Sequence, residues 1–75
     1  MITRQIKLNA TEDVQEFVNE AAKCSFDIDI SYNRIIIDAK SLLGILSMDL
    51  TRELTVRCYG ESQKFNKVTD KFAVA

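Results

Sequence analysis

The sequence predicts an α+β fold: a four-stranded antiparallel sheet with three helices on one face, in the order β-α-β-β-α-β-α. Three observations carry this. Some segments alternate apolar and polar residues with period two, and others repeat apolar residues at helical spacing. Every strand pattern also has one polar face, so all the helices must cover the opposite face, giving an open-faced β-sandwich. No linker, repeat or low-complexity stretch interrupts the chain, which reads as a single domain, residues 1–75.

The elements follow in order. Residues 2–8 place Ile2, Ile6 and Leu8 on one face and Thr3, Gln5 and Lys7 on the other, with Arg4 interrupting the apolar side. Asn9 to Asp13 supply helix-start chemistry. Asn9 or Thr11 is the expected cap, and Glu12 and Asp13 suit the positive end of the helix dipole. Val14, Phe17, Val18 and Ala21 form the apolar stripe of that helix. Residues 26–32 give the clearest strand, with Phe26, Ile28, Ile30 and Tyr32 on one face and Asp27, Asp29 and Ser31 on the other. Asn33-Arg34 reads as a two-residue turn because Asn tolerates positive φ. Tyr32 then pairs with Ile35, Ile30 with Ile37 and Ile28 with Ala39, while Ile36 lies on the outer face between Arg34 and Asp38.

Ser41 is expected to cap a short helix whose Leu42, Ile45 and Leu46 share an inward stripe. Leu54, Val56 and Cys58 alternate with Thr55, Arg57 and Tyr59 in a last strand that Gly60 ends. Ser62 caps a final helix bearing Phe65, Val68 and Phe72.

Composition narrows the function. Ten basic and eleven acidic residues give a net charge of −1, without the Lys/Arg run of a nucleic-acid binder. No apolar run approaches the ~20 residues of a membrane span, and Met1 to Gln5 lack a signal peptide's apolar stretch, so a cytoplasmic location is expected. Cys24 and Cys58, in a chain with no histidine, form no metal motif and read as unpaired small hydrophobes. No acid–base, nucleophile or metal constellation is visible, so neither enzyme activity nor a cofactor is expected.

The run Lys40-Ser41-Leu42-Leu43-Gly44-Ile45-Leu46-Ser47 closely resembles the regulatory-serine helix of HPr, the histidine phosphocarrier of the bacterial sugar phosphotransferase system. Ala21-Ala22-Lys23 resembles the end of that family's first helix and Ser31-Tyr32-Asn33 its hairpin, and residues 21–60 align without a gap. The resemblance implies the HPr-like fold. It fails between the first strand and first helix, where family members carry a longer loop with the phosphorylated histidine, an arginine and a proline. Here that stretch is cut to about Asn9–Asp13, with Ala10 and Thr11 near the expected place, and Thr11 reads as a cap. Phosphoryl relay on imidazole is excluded by composition. Glu12 and Asp13 oppose an incoming anion, since a like charge at ~4 Å costs about 1–4 kcal/mol.

The resemblance makes Ser41 a candidate for regulatory phosphorylation. A phosphate at a helix start meets free N–H groups and the positive dipole end, and Lys40 lies next in sequence. Ser41 also has the simpler reading of a cap. The resemblance likewise makes Leu42, Leu43 and Leu46 a partner-docking patch, against an equal reading of Leu42 and Leu46 as core; Leu43 is expected to face water. Gly44 is expected to serve close packing. Acidic positions on the outer strand faces and helix starts read as solvated charges.

The leading expectation is a non-catalytic protein-binding or regulatory module acting through the Ser41 helix. Its partners would be phosphotransferase-system proteins, a serine kinase or a transcriptional regulator. The alternatives are a phosphotransferase-system component with a non-histidine acceptor, and a self-associating structural module using Ile36 and the open sheet face. Oligomeric state is left open.

Overall fold

Alternation of side-chain size and polarity becomes, in the computed structural model, one sheet and one core; the structure describes residues 1–74. The strands are β1 (Ile2–Ile6), β2 (Ile28–Tyr32), β3 (Ile35–Asp38) and β4 (Leu54–Cys58), and the helices α1 (Thr11–Ala22), α2 (Leu42–Leu46) and α3 (Gln63–Phe72). The sheet order is β1-β4-β2-β3, antiparallel throughout. Ile6, Ile28, Ile30, Leu54, Val56 and Cys58 are buried on the helix-covered face, while Thr3, Gln5, Thr55 and Arg57 alternate with them toward the open face. The expected α+β architecture, with element order β-α-β-β-α-β-α and a four-stranded antiparallel sheet, is therefore the fold of this chain.

The hairpin adopts the expected register. Asn33 takes φ 55°, Tyr32 faces Ile35 and Ile30 faces Ile37. The Ala39 N–H continues the ladder to the Ile28 carbonyl at 2.9 Å. Arg4 interrupts the apolar side of β1 because its guanidinium pairs with Asp70 on α3. Inside, Phe17 of α1 and Phe65 of α3 meet with ring centroids 5.4 Å apart, a tilted pair worth about 0.5–1.5 kcal/mol beyond burial.

Two boundaries differ from the sequence expectation. Leu8 lies past the end of β1 yet is fully buried, and Phe26 lies before β2 and packs on the core from outside the ladder. A Cβ at Gly60 would come within 2.5 Å of the Phe26 ring, so Gly60 both ends β4 and makes room for that ring.

The cap of α1 also differs. Ala10, extended at φ −140°, occupies the N-cap without a side-chain hydrogen bond, and Thr11 is the first helical residue. Burial of Leu8 sets the chain so that Asn9 arrives too early to cap. The Asp13 carboxylate instead reaches back to accept the Asn9 N–H at 3.1 Å.

Candidate functional site

The start of α2 is built by hydrogen bonds from the end of β3. Asp38 accepts the Lys40 N–H on Oδ1 and the Ser41 N–H on its carbonyl, both at 2.9 Å, which turns the chain out of the sheet. Ser41 is the N-cap: its Oγ accepts the Gly44 N–H at 3.2 Å and its carbonyl the Ile45 N–H at 3.1 Å. Ser47 closes the five-residue helix, its hydroxyl donating to the Gly44 carbonyl at 2.6 Å.

Gly44 is the tight point of this corner. A Cβ there would lie 2.7 Å from Ile37 Cγ2 and 2.9 Å from Ser41 Oγ. The helix therefore sits on β3 as closely as a residue without a side chain allows, and close packing is the role of Gly44.

The three candidate leucines separate. Leu43 is 81% exposed, Leu46 is 38% exposed and Leu42 is half-buried. Ile45 is the fully buried anchor of the helix, and Leu42 packs partly buried against the same core. The expected inward stripe of Leu42, Ile45 and Leu46 is corrected only at Leu46: Leu42 and Ile45 face the core, while at 100° per residue Leu46 turns a quarter-circle from Ile45 onto the rim. Its place is taken by Met48, 7% exposed, which the sequence reading missed. The signal was its spacing of three from Ile45, obscured by the helix ending at Ser47.

Lys40 does not attend Ser41. Its ammonium donates to the Cys24 carbonyl at 3.0 Å, tying the loop before α2 to the segment just past α1. Beyond α2, the Asp49 carboxyl is held below its ordinary range, chiefly by the Thr51 hydroxyl and backbone N–H, with Arg52 assisting. At the start of α1, Glu12 and Asp13 bring negative charge to the first turn. That arrangement opposes an anion where the helix dipole alone would favour one.

On the open face Asp29 is less solvated than its sequence position suggests. It accepts from Arg57 Nε at 2.8 Å and from the Tyr59 hydroxyl at 3.2 Å, and its side chain is 19% exposed. The bond to Asp29 raises the Arg57 guanidinium above its ordinary value. Asp29 and Arg57 face each other across the β2–β4 register, a pairing that needs the strand order to be seen. Cys24 and Cys58 are both free thiols, and burial pushes Cys58 upward, with Cys24 contributing. Among the described residues there is no pocket and no group of three potential metal ligands, and no helix is long and apolar enough to cross a membrane.

Comparison with known proteins gives a consistent answer at the level of fold. No family model matches the sequence. No curated protein matches it. Solved structures do. The phosphocarrier protein HPr of Bacillus anthracis superposes with a TM-score of 0.70 at 20% identity, over 95% of each chain. HPr of Thermoanaerobacter tengcongensis gives 0.71 at 25% identity, over 93% of this chain and 85% of that one. Crh of Bacillus subtilis, described as a domain-swapped, intertwined dimer, gives 0.65 at 20% identity, over 95% of this chain and 88% of its own.

Proposed function

We propose that this HPr-like chain is a non-enzymatic, protein-binding module that acts through α2 and takes no part in histidine phosphoryl relay. The observation carrying this reading is Leu43, 81% exposed on a helix whose N-cap is Ser41. An exposed large apolar side chain beside a modifiable hydroxyl combines a contact with a way to switch it. Leu46 and the half-buried Leu42 extend the contact, and Ile45 holds the helix in place. Phosphorylation of Ser41 would set a charge of about −1.5 to −2 at the start of α2, where the helix end favours it. The partners this reading calls for are proteins of the sugar phosphotransferase system, a serine kinase or a transcriptional regulator.

The test uses native lysate and three proteins: wild type, Leu43→Ala and Ser41→Asp. All three are expected to melt alike, because Leu43 is exposed and aspartate caps as serine does. Leu43→Ala is expected to lose a contact worth about 1–2 kcal/mol in partner binding, and Ser41→Asp to change the captured set. Equal capture by all three refutes the α2 surface. Incubation with enzyme I and phosphoenolpyruvate is expected to add no acid-labile phosphate by intact mass at neutral pH; its appearance would refute the exclusion from relay.

A further inference from the structure

The two edges of the sheet are finished differently. Along β1 the chain covers part of its own edge: Lys7 N–H donates to the Phe72 carbonyl at 3.0 Å and Val74 N–H to the Gln5 carbonyl at 3.1 Å. On β3, α2 packs against the buried side at Ile37, but among the described residues no strand pairs with the outer edge, and no bulge, proline or lysine interrupts its three consecutive isoleucines. Unblunted apolar edges of this kind are templates for another strand.

The hairpin geometry fixes which groups are free. With a two-residue turn, Tyr32 and Ile35 form a hydrogen-bonded pair, so Ile35 and Ile37 direct their N–H and C=O groups at β2. The Ala39-to-Ile28 bond continues that alternation. Ile36 therefore directs both of its groups outward, and Asp38 its N–H, the Asp38 carbonyl being taken by the Ser41 N–H at 2.9 Å. The side chains of Ile36 and Asp38 lie on the open face, where Ile36 is 59% exposed, and Arg34 is exposed in the turn two residues before Ile36.

We propose that β3 is a self-association edge, on which β3 of a second copy pairs antiparallel about a two-fold axis at Ile36. In this register the two Ile36 residues exchange both backbone hydrogen bonds, and each Asp38 N–H reaches the Arg34 carbonyl of the other copy. Ile35 of one copy then faces Ile37 of the other. Arg34 faces Asp38 at both ends, placing opposite charges across the strands twice. Asp38 Oδ1 already accepts the Lys40 N–H, which leaves Oδ2 for the incoming guanidinium.

The charge order identifies the occupant. From the turn onward the alternate positions read Arg34, Ile36, Asp38, and their complement is the same edge reversed. A slip by two residues sets Ile36 against Asp38 and breaks both ion pairs. A slip by one turns every side chain to the wrong face. No segment is exchanged, unlike the swapped dimer described for Crh.

So short an interface lies below the area of a stable dimer, so association is expected only at about 0.1–1 mM. Sedimentation equilibrium of the full chain, with amide hydrogen exchange at low and high concentration, tests the proposal. Wild type is expected to dimerise with slowed exchange at the Ile36 and Asp38 amides. Arg34→Glu and Asp38→Lys each place like charges opposite at both ends and should weaken self-association roughly tenfold. An equimolar mixture of the two restores attraction at both ends and should associate as wild type does.

Three results overturn it: a monomer throughout this range, a dimer indifferent to both substitutions, or a mixture no tighter than its components. Slowed exchange confined to other elements, as in a swapped dimer, or pairing only with an unrelated protein's strand, also counts against it. Thermal melts check each variant. If Asp38→Lys disturbs the start of α2, the loss in Arg34→Glu together with Ile36 amide exchange decides the question.

Discussion

Replacing Gly44 by alanine sets helix propensity against tertiary crowding, and the structure indicates which wins. Alanine favours a helix interior by about 1 kcal/mol over glycine. The new methyl would lie 2.7 Å from Ile37 Cγ2, 2.9 Å from Ser41 Oγ and 3.3 Å from Ser41 Cβ. Neither neighbour yields cheaply. Ile37 is β-branched and held in the β3 ladder, so its methyl moves only with the strand or with an off-rotamer side chain. Ser41 Oγ is the cap, and displacing it forfeits about 1 kcal/mol. Overpacking adds about 1–3 kcal/mol. The net expectation is a loss of about 1–3 kcal/mol, at roughly 4–8 °C of Tm per kcal/mol for a domain of this size. Urea unfolding followed by circular dichroism measures it. A double-mutant cycle with Ile37→Ala assigns the cause, since removing that methyl should recover part of the loss as a favourable coupling. A Gly44→Ala protein as stable as wild type, or more so, would refute the crowding argument, and additive single effects would exonerate Ile37.

Lys71 and Cys58 give two further expectations. The bond to Glu16 at 2.8 Å raises the Lys71 ammonium above its ordinary 10.5. Its stabilising contribution is therefore fully present below pH 10.5 and lost as pH rises through the folded value. The Tm difference between wild type and Glu16→Gln should be constant from neutral pH to about 10 and shrink above it; a difference unchanged in stronger alkali would refute the pairing. Burial keeps the Cys58 thiol protonated, so a disulfide reagent at pH 8 should modify the half-buried Cys24 first and Cys58 only on opening of the core. Equal rates at the two thiols would contradict the placement of Cys58.

Much of the fold was legible along the chain because alternation and turn chemistry are local. Asn33, between two runs with matching apolar positions, determined the β2–β3 register, and Ser41 and Ser62 announced their helices through the first-turn N–H groups they accept. Helical spacing placed Phe17 and Phe65 on inward stripes. The tertiary structure decided what depends on residues far apart in sequence. Thr11 lost the cap to Ala10 because burial of Leu8 set where the chain enters α1. Lys40 was drawn from Ser41 to the Cys24 carbonyl, and Asp29 from solvent to Arg57 and Tyr59. At the candidate site, periodicity marked the leucines as apolar but could not tell rim from core. Only the approach of Gly44 to Ile37 fixed the rotation of α2, leaving Leu43 and Leu46 outward and giving the core to Ile45 and Met48. Spacing along a helix gives relative directions, and a packed neighbour is needed to turn them into inside and outside.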